Sequence, residues 1–220
     1  LTRVIPRSAQ GRARLGVLLS GRGSNFVALA EALERGLAPA EIVLVASNVA
    51  DAPGLIRARE RSIPTLVLPH GEFASRAAHE AALAAALRAA KVEWICLAGY
   101  MRLLGAELVA EWPERILNIH PSLLPAFPGL HPQRQALAAG VRISGCTVHL
   151  VDAGLDSGPI VVQRAVPVED NDDEATLAAR ILLEEHLAYA EALRRLLTES
   201  WRVAGKRLCF RASAPFLPRD

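Results

Sequence analysis

Short, unbroken apolar runs that alternate with amphipathic stretches are the strongest constraint on how this chain can fold. Leu15–Leu19, Ile42–Ala46, Thr65–Leu68, Trp94–Leu97 and Ile116–His120 read as strands. Between them, Asn25–Arg35, Gly54–Arg61, Glu72–Ala90 and Ala106–Glu111 read as helices. Strands with apolar residues on both sides need cover on both faces, and intervening helices supply it through parallel crossovers. The expectation is an α/β domain built on a mostly parallel, twisted sheet.

After Pro132 the rhythm changes. Gln133–Ala139 reads as a helix, and Gly145–Val151 and Pro159–Val168 as strands joined by the short turn Asp152–Gly158. So short a connection suits an antiparallel pair. Asp173–Leu197 reads as one long helix, acidic at its start and with Arg194 and Arg195 at its end, as the helix dipole favours. No repeat or linker interrupts the pattern. We expect a disordered extension over residues 1–13, one domain over 14–200, and a tail over 201–220 in which Arg207–Phe210 adds an edge strand.

Within Ile116–His120, two polar side chains break an apolar strand at alternate positions. Asn118 and His120 are two residues apart, so they share one face. Pro121, Pro125 and Pro128 then hold the following segment out of regular structure. An amide and an imidazole projecting together can polarise a carbonyl and move a proton. A buried, hydrogen-bonded histidine is the plain alternative. The turn Val151–Pro159 offers two carboxylates, Asp152 and Asp156, and one that reached His120 would favour the imidazolium. Turn chemistry alone also accounts for aspartates there.

Gly21–Phe26, directly after the first strand, reads as a glycine turn opening a helix. Free amides at a helix start favour an anion. Phe26 stands where GxGxxG needs its third glycine and no GK[ST] follows, so dinucleotide and Walker-type sites are disfavoured and a phosphate monoester fits better. Gly99–Leu104 combines glycine, apolar side chains and Arg102, as the wall of a flat ligand's slot would. His70, His79 and His149 show no metal-ligand spacing, and we expect no metal.

The net charge of +2 implies no nucleic-acid partner, and no apolar run approaches a membrane span. Cys96, Cys146 and Cys209 form no CxxC and suit reduced thiols in the cytoplasm. The opening segment is basic but has no apolar core of a secretory signal; organelle targeting is its other reading.

LLSGRGSN, LAGYMRLL, NIHPSLLPAFPGLHPQRQAL and VDAGLDSGPI occur in that order over Arg14–Leu197. Together they resemble the phosphoribosylglycinamide formyltransferases, folate-dependent enzymes of purine biosynthesis with a Rossmann-like formyltransferase fold. The resemblance implies that the amine of glycinamide ribonucleotide (GAR) attacks the formyl carbon of 10-formyltetrahydrofolate, with no metal and no covalent enzyme intermediate. Asn118 would bond the oxyanion, His120 would stabilise that charge and pass on a proton, and Asp156 would hold His120 charged. Gly23, Ser24 and Asn25 would hold the phosphate, and Glu185 the ribose or glycinamide end. Met101, Arg102, Leu103 and Leu104 would line the pterin slot with Asn118, Val151, Asp152, Ala153, Gly154 and Leu155, and Arg76 would meet the folate tail. The chain departs from the family pattern at Gln133, where a second histidine is common, and at Arg22, where a small or polar residue is usual.

Three other readings stay open. A formyltetrahydrofolate hydrolase normally carries an extra N-terminal domain, for which Leu1–Arg14 is too short. A transfer-RNA formyltransferase needs a C-terminal RNA-binding domain. An inactive folate-binding protein would have no use for a proton relay. A monomer or homodimer is expected.

Overall fold

A computed structural model describes residues 11–211. Most of the expected N-terminal extension, and the tail beyond 211, lie outside the described residues. The elements run β1 (Ala13–Leu19), α1 (Ser24–Glu34), β2 (Ala40–Ser47), α2 (Pro53–Glu60), β3 (Thr65–Val67), α3 (Arg76–Ala89), β4 (Trp94–Leu97), α4 (Ala106–Glu111) and β5 (Ile116–His120). They continue with α5 (Pro132–Ala138), β6 (Ile143–Leu150), β7 (Ile160–Pro167), α6 (Glu174–Thr198), β8 (Trp201–Ala204) and β9 (Arg207–Phe210).

The strands form one sheet in the order β3-β2-β1-β4-β5-β6-β7-β9-β8. The first five in that order are parallel. From β5 onward the direction reverses, with β6 antiparallel to both β5 and β7. The α/β reading, parallel first and antiparallel later, therefore holds. Strand alternation sorts the core into two layers. Leu15, Val17, Leu19, Leu117 and Ile119 face a layer closed by Phe26 and Leu29 of α1 and by Ile181, Tyr189 and Leu193 of α6. Leu18, Ile95 and Ile116 face the opposite layer, closed by Leu83 and Leu87 of α3 and by Leu108 of α4. Asn118 and His120 share the parity of Ile116 and project on the α3–α4 side.

Two boundaries differ from expectation. The helix expected from Glu72 begins at Arg76, because Ser75 caps it by accepting from the Ala78 N–H at 3.1 Å. His70–Glu72 forms only a single 3-10 turn. At the other end of the chain, Arg207–Phe210 is not the outermost strand. It pairs with Trp201–Ala204 as a hairpin, and β8 takes the edge. Arg195 lies 3.7 Å from the Phe210 ring centroid and ties this hairpin to α6.

Candidate active site

The antiparallel pairing of β5 with β6 builds the centre of the site. Asn118 stands directly opposite His149, and His120 opposite Thr147, so all four side chains rise on one face. Asp156 joins them from the loop after β6, held in a left-handed conformation with φ 48°. Its Oδ2 accepts the Gly129 N–H at 2.9 Å and lies 3.4 Å from His120 Nδ1. Its Oδ1 lies 3.5 Å from Asn118 Nδ2 and 3.7 Å from His149 Nε2. Burial opposes the charge on Asp156, but the bonds from His149 and the Gly129 N–H, with His120 nearby, outweigh it and lower the carboxyl pKa.

His120 is buried, 6% exposed, and its Nε2 lies 2.9 Å from the Phe127 carbonyl. A carbonyl and a carboxylate are both acceptors, so the ring satisfies both neighbours only with a proton on each nitrogen. His149 differs. Its Nδ1 lies 2.9 Å from the Leu150 carbonyl, and its Nε2 faces Asp156 Oδ1 and lies 3.1 Å from Asn118 Nδ2. That contact fixes which way the Asn118 amide faces. Sequence reasoning passed over His149 by testing it only for metal spacing. The signal that exposed Asn118 and His120, a polar residue inside an apolar strand, was present at His149 as well.

At the turn after β1, Gly23 takes a left-handed conformation, φ 71°, as the N-cap of α1. No side chain caps this helix, and the first bond back along it is Val27 N–H to the Gly23 carbonyl at 2.9 Å. Its leading amides therefore face outward, as an anion site requires. Ser24 is the first helical residue and Asn25 is buried. Asn25 Nδ2 donates to Glu185 Oε2 at 2.6 Å, across 160 residues of sequence, while Asn25 Oδ1 is buried with no partner. Burial pushes the Glu185 carboxyl pKa up, against the bond from Asn25.

Gly54 was not foreseen. It opens α2 against the same turn, donating its N–H to the Gly21 carbonyl at 3.1 Å. A Cβ on Gly54 would lie 2.6 Å from Leu19 Cδ2, and one on Gly23 would lie 2.8 Å from Gly54 Cα. Ser20 braces the turn from below. Its hydroxyl donates to Asn48 Oδ1 at 2.6 Å and accepts the Met101 N–H at 2.9 Å.

The segments expected to hold folate divide in two. Met101, Leu103 and Leu155 are 68%, 58% and 52% exposed, large apolar side chains with little protein cover. Ala153 and Gly154 are exposed beside Leu155, and Asp152 is occupied internally, accepting from Gly154 N–H at 3.0 Å and Ser157 Oγ at 2.8 Å. Leu104 and Val151 pack against the core, and Arg102 is half-buried. Arg76 is engaged rather than free: its Nε donates to Glu80 Oε1 at 2.8 Å and its Nη2 to the Leu103 carbonyl at 2.7 Å. Glu80 in turn accepts the Gly105 N–H.

The formyl transferase family pattern matches residues 13–193. The chain belongs to the formyl transferase family. A phosphoribosylglycinamide formyltransferase of Bacillus subtilis is 40% identical over 84% of this chain and 94% of its own length. The crystal structure of glycinamide ribonucleotide transformylase 1 from Symbiobacterium toebii superposes with a TM-score of 0.89 at 48% identity, covering 90% of this chain and 94% of that one. The trifunctional purine biosynthetic protein adenosine-3 of Drosophila melanogaster is 51% identical over 89% of this chain. This chain spans only 14–20% of the length of four such trifunctional relatives. Within this formyl transferase, no described helix is long and apolar enough to cross a membrane.

Proposed function

We propose that this chain transfers the formyl group of 10-formyltetrahydrofolate to the amine of GAR, giving formyl-GAR and tetrahydrofolate. The observation that carries this reading is the single carboxylate of Asp156 reaching both Asn118 and His120 at the end of β5. The amine attacks the formyl carbon and the carbonyl oxygen gains negative charge. Asn118, its amide oriented by His149, donates to that oxygen; one such donor contributes roughly 10²–10³ in rate. His120, with acceptors on both ring nitrogens, adds positive charge beside the same centre. When the tetrahedral species collapses, His120 turns its Nε2 proton from the Phe127 carbonyl to the departing folate nitrogen, and the proton shed by the attacking amine returns to the ring. Asp156 stays ionised and keeps the ring charged. The ribonucleotide phosphate sits on Gly23, Ser24 and Asn25, with Glu185 on the ribose or glycinamide end. The exposed Met101, Leu103 and Leu155 cover the pterin. Arg76 meets the folate tail only by exchanging its bond to Glu80 or to the Leu103 carbonyl; otherwise it shapes the slot wall.

The test is tetrahydrofolate release from 10-formyltetrahydrofolate with and without GAR. Release that requires GAR is expected. Release without it would make the chain a hydrolase, and no release under either condition would leave a binding protein.

A further inference from the structure

Arg22 sits between Gly21 and Gly23 in the turn where α1 and α2 begin. Its side chain is exposed and, among the described residues, makes no hydrogen bond or ion pair. The first turn of α1 contains no acid, and neither α1 nor α2 has a side-chain cap. The Asn25 amide donates to Glu185 and so leaves the charge on an incoming anion to other groups of the turn.

Charge decides what such a site needs. A phosphate monoester brings about −1.5 to −2 at neutral pH. Each helix start offers the equivalent of roughly +0.5, so the two together offset about half of it. Glu185 lies beside the turn through Asn25 and works against an anion whenever it is ionised, although burial disfavours that charge. The shortfall is about one positive charge, and Arg22 is the cation the turn itself supplies.

We propose that Arg22 closes on the substrate phosphate and sets how strongly this chain prefers the ribonucleotide over its dephosphorylated nucleoside. The proposal rests on the formyl-transfer reading and deepens it. A guanidinium delivers two parallel N–H bonds to phosphate oxygens, a geometry that a lysine cannot copy. The residue reads charge on the substrate and is remote in role from the groups that move protons.

The experiment is steady-state kinetics on the full chain as wild type, Arg22→Ala and Arg22→Lys, with GAR and with its dephosphorylated nucleoside, at low and high salt. Arg22→Ala should raise KM for GAR by about tenfold and change kcat by less than twofold. It should leave the weak use of the nucleoside unchanged and flatten the salt dependence of KM. Arg22→Lys should recover only part of the loss. A KM for GAR within twofold of wild type in Arg22→Ala overturns the proposal and leaves the formyl-transfer reading standing. Equal loss with nucleotide and nucleoside also overturns it, because that pattern means a distorted turn rather than a missing phosphate contact. Absence of GAR-dependent turnover in the wild type overturns the formyl-transfer reading and the proposal with it.

Discussion

Around Asn118 the polar groups satisfy one another, whereas at the Gly23 turn the leading amides of α1 have no side-chain cap. At the first place, Asp156 divides its oxygens between Asn118, His149, His120 and the Gly129 N–H. At the second, α1 starts uncapped, Asn25 Oδ1 has no partner, and burial raises the Glu185 pKa. A group that must act in a transition state benefits from being fixed beforehand by the protein. A group that must hold a ground-state anion benefits from waiting unpaired for it. The contrast predicts that damage at the first place appears in kcat and damage at the second in KM.

The sharpest test is His120→Ala, expected to lower kcat by roughly 10²–10⁴ with little change in KM for GAR. Single-turnover rates on saturated protein would check it, and near-normal turnover would remove His120 from the chemistry. Asn118→Ala comes next, at roughly 10²–10³ in kcat; calorimetry should still detect binding of both substrates. A KM effect in place of a kcat effect would break the contrast from the catalytic side.

Gly54→Ala tests the other side. The added Cβ forces Leu19 or the Gly21 carbonyl to move, and KM for GAR should rise about tenfold for the loss of one or two phosphate contacts, with kcat nearly intact. Equal loss in kcat would mean that the two places are mechanically one.

The smallest expected effect is on stability. Glu185 has a raised folded-state pKa, so its favourable contribution is fully present below its unfolded value, near ~4.3, and is lost as pH rises through the folded value. Glu185→Gln should therefore melt higher than wild type at neutral pH and lose that advantage toward pH ~4, while binding GAR less well. Thermal melts across that range would check it, and an unchanged or lowered melting point at neutral pH would show that the buried carboxyl carries no strain.

How much of this was legible in the sequence depended on range. Asn118 and His120 stood out because a period of two is local, and the antiparallel pairing of β6 with β7 was visible in the short Asp152–Gly158 connection. His149 carried the same mark and was missed because only metal spacing was asked of it. The start of α3 was misplaced because the capping oxygen of Ser75 competes with a continuous alanine-rich pattern that runs past it. Gly54 looked like an ordinary helix start, since its closeness to Gly23 exists only once α2 packs on the turn. The Asn25–Glu185 bond was out of reach of any window, because the fold alone brings α6 back to α1.

The divided carboxylate of Asp156 has an evolutionary consequence. Because one carboxylate reaches both Asn118 and His120, a substitution that removes it disturbs both contacts at once. On the formyl-transfer reading, a lineage drifting toward mere ligand binding could discard the chemistry in a single substitution at Asp156, a position remote from the Gly23 turn. Recovering it would require the same aspartate again, in the same left-handed turn.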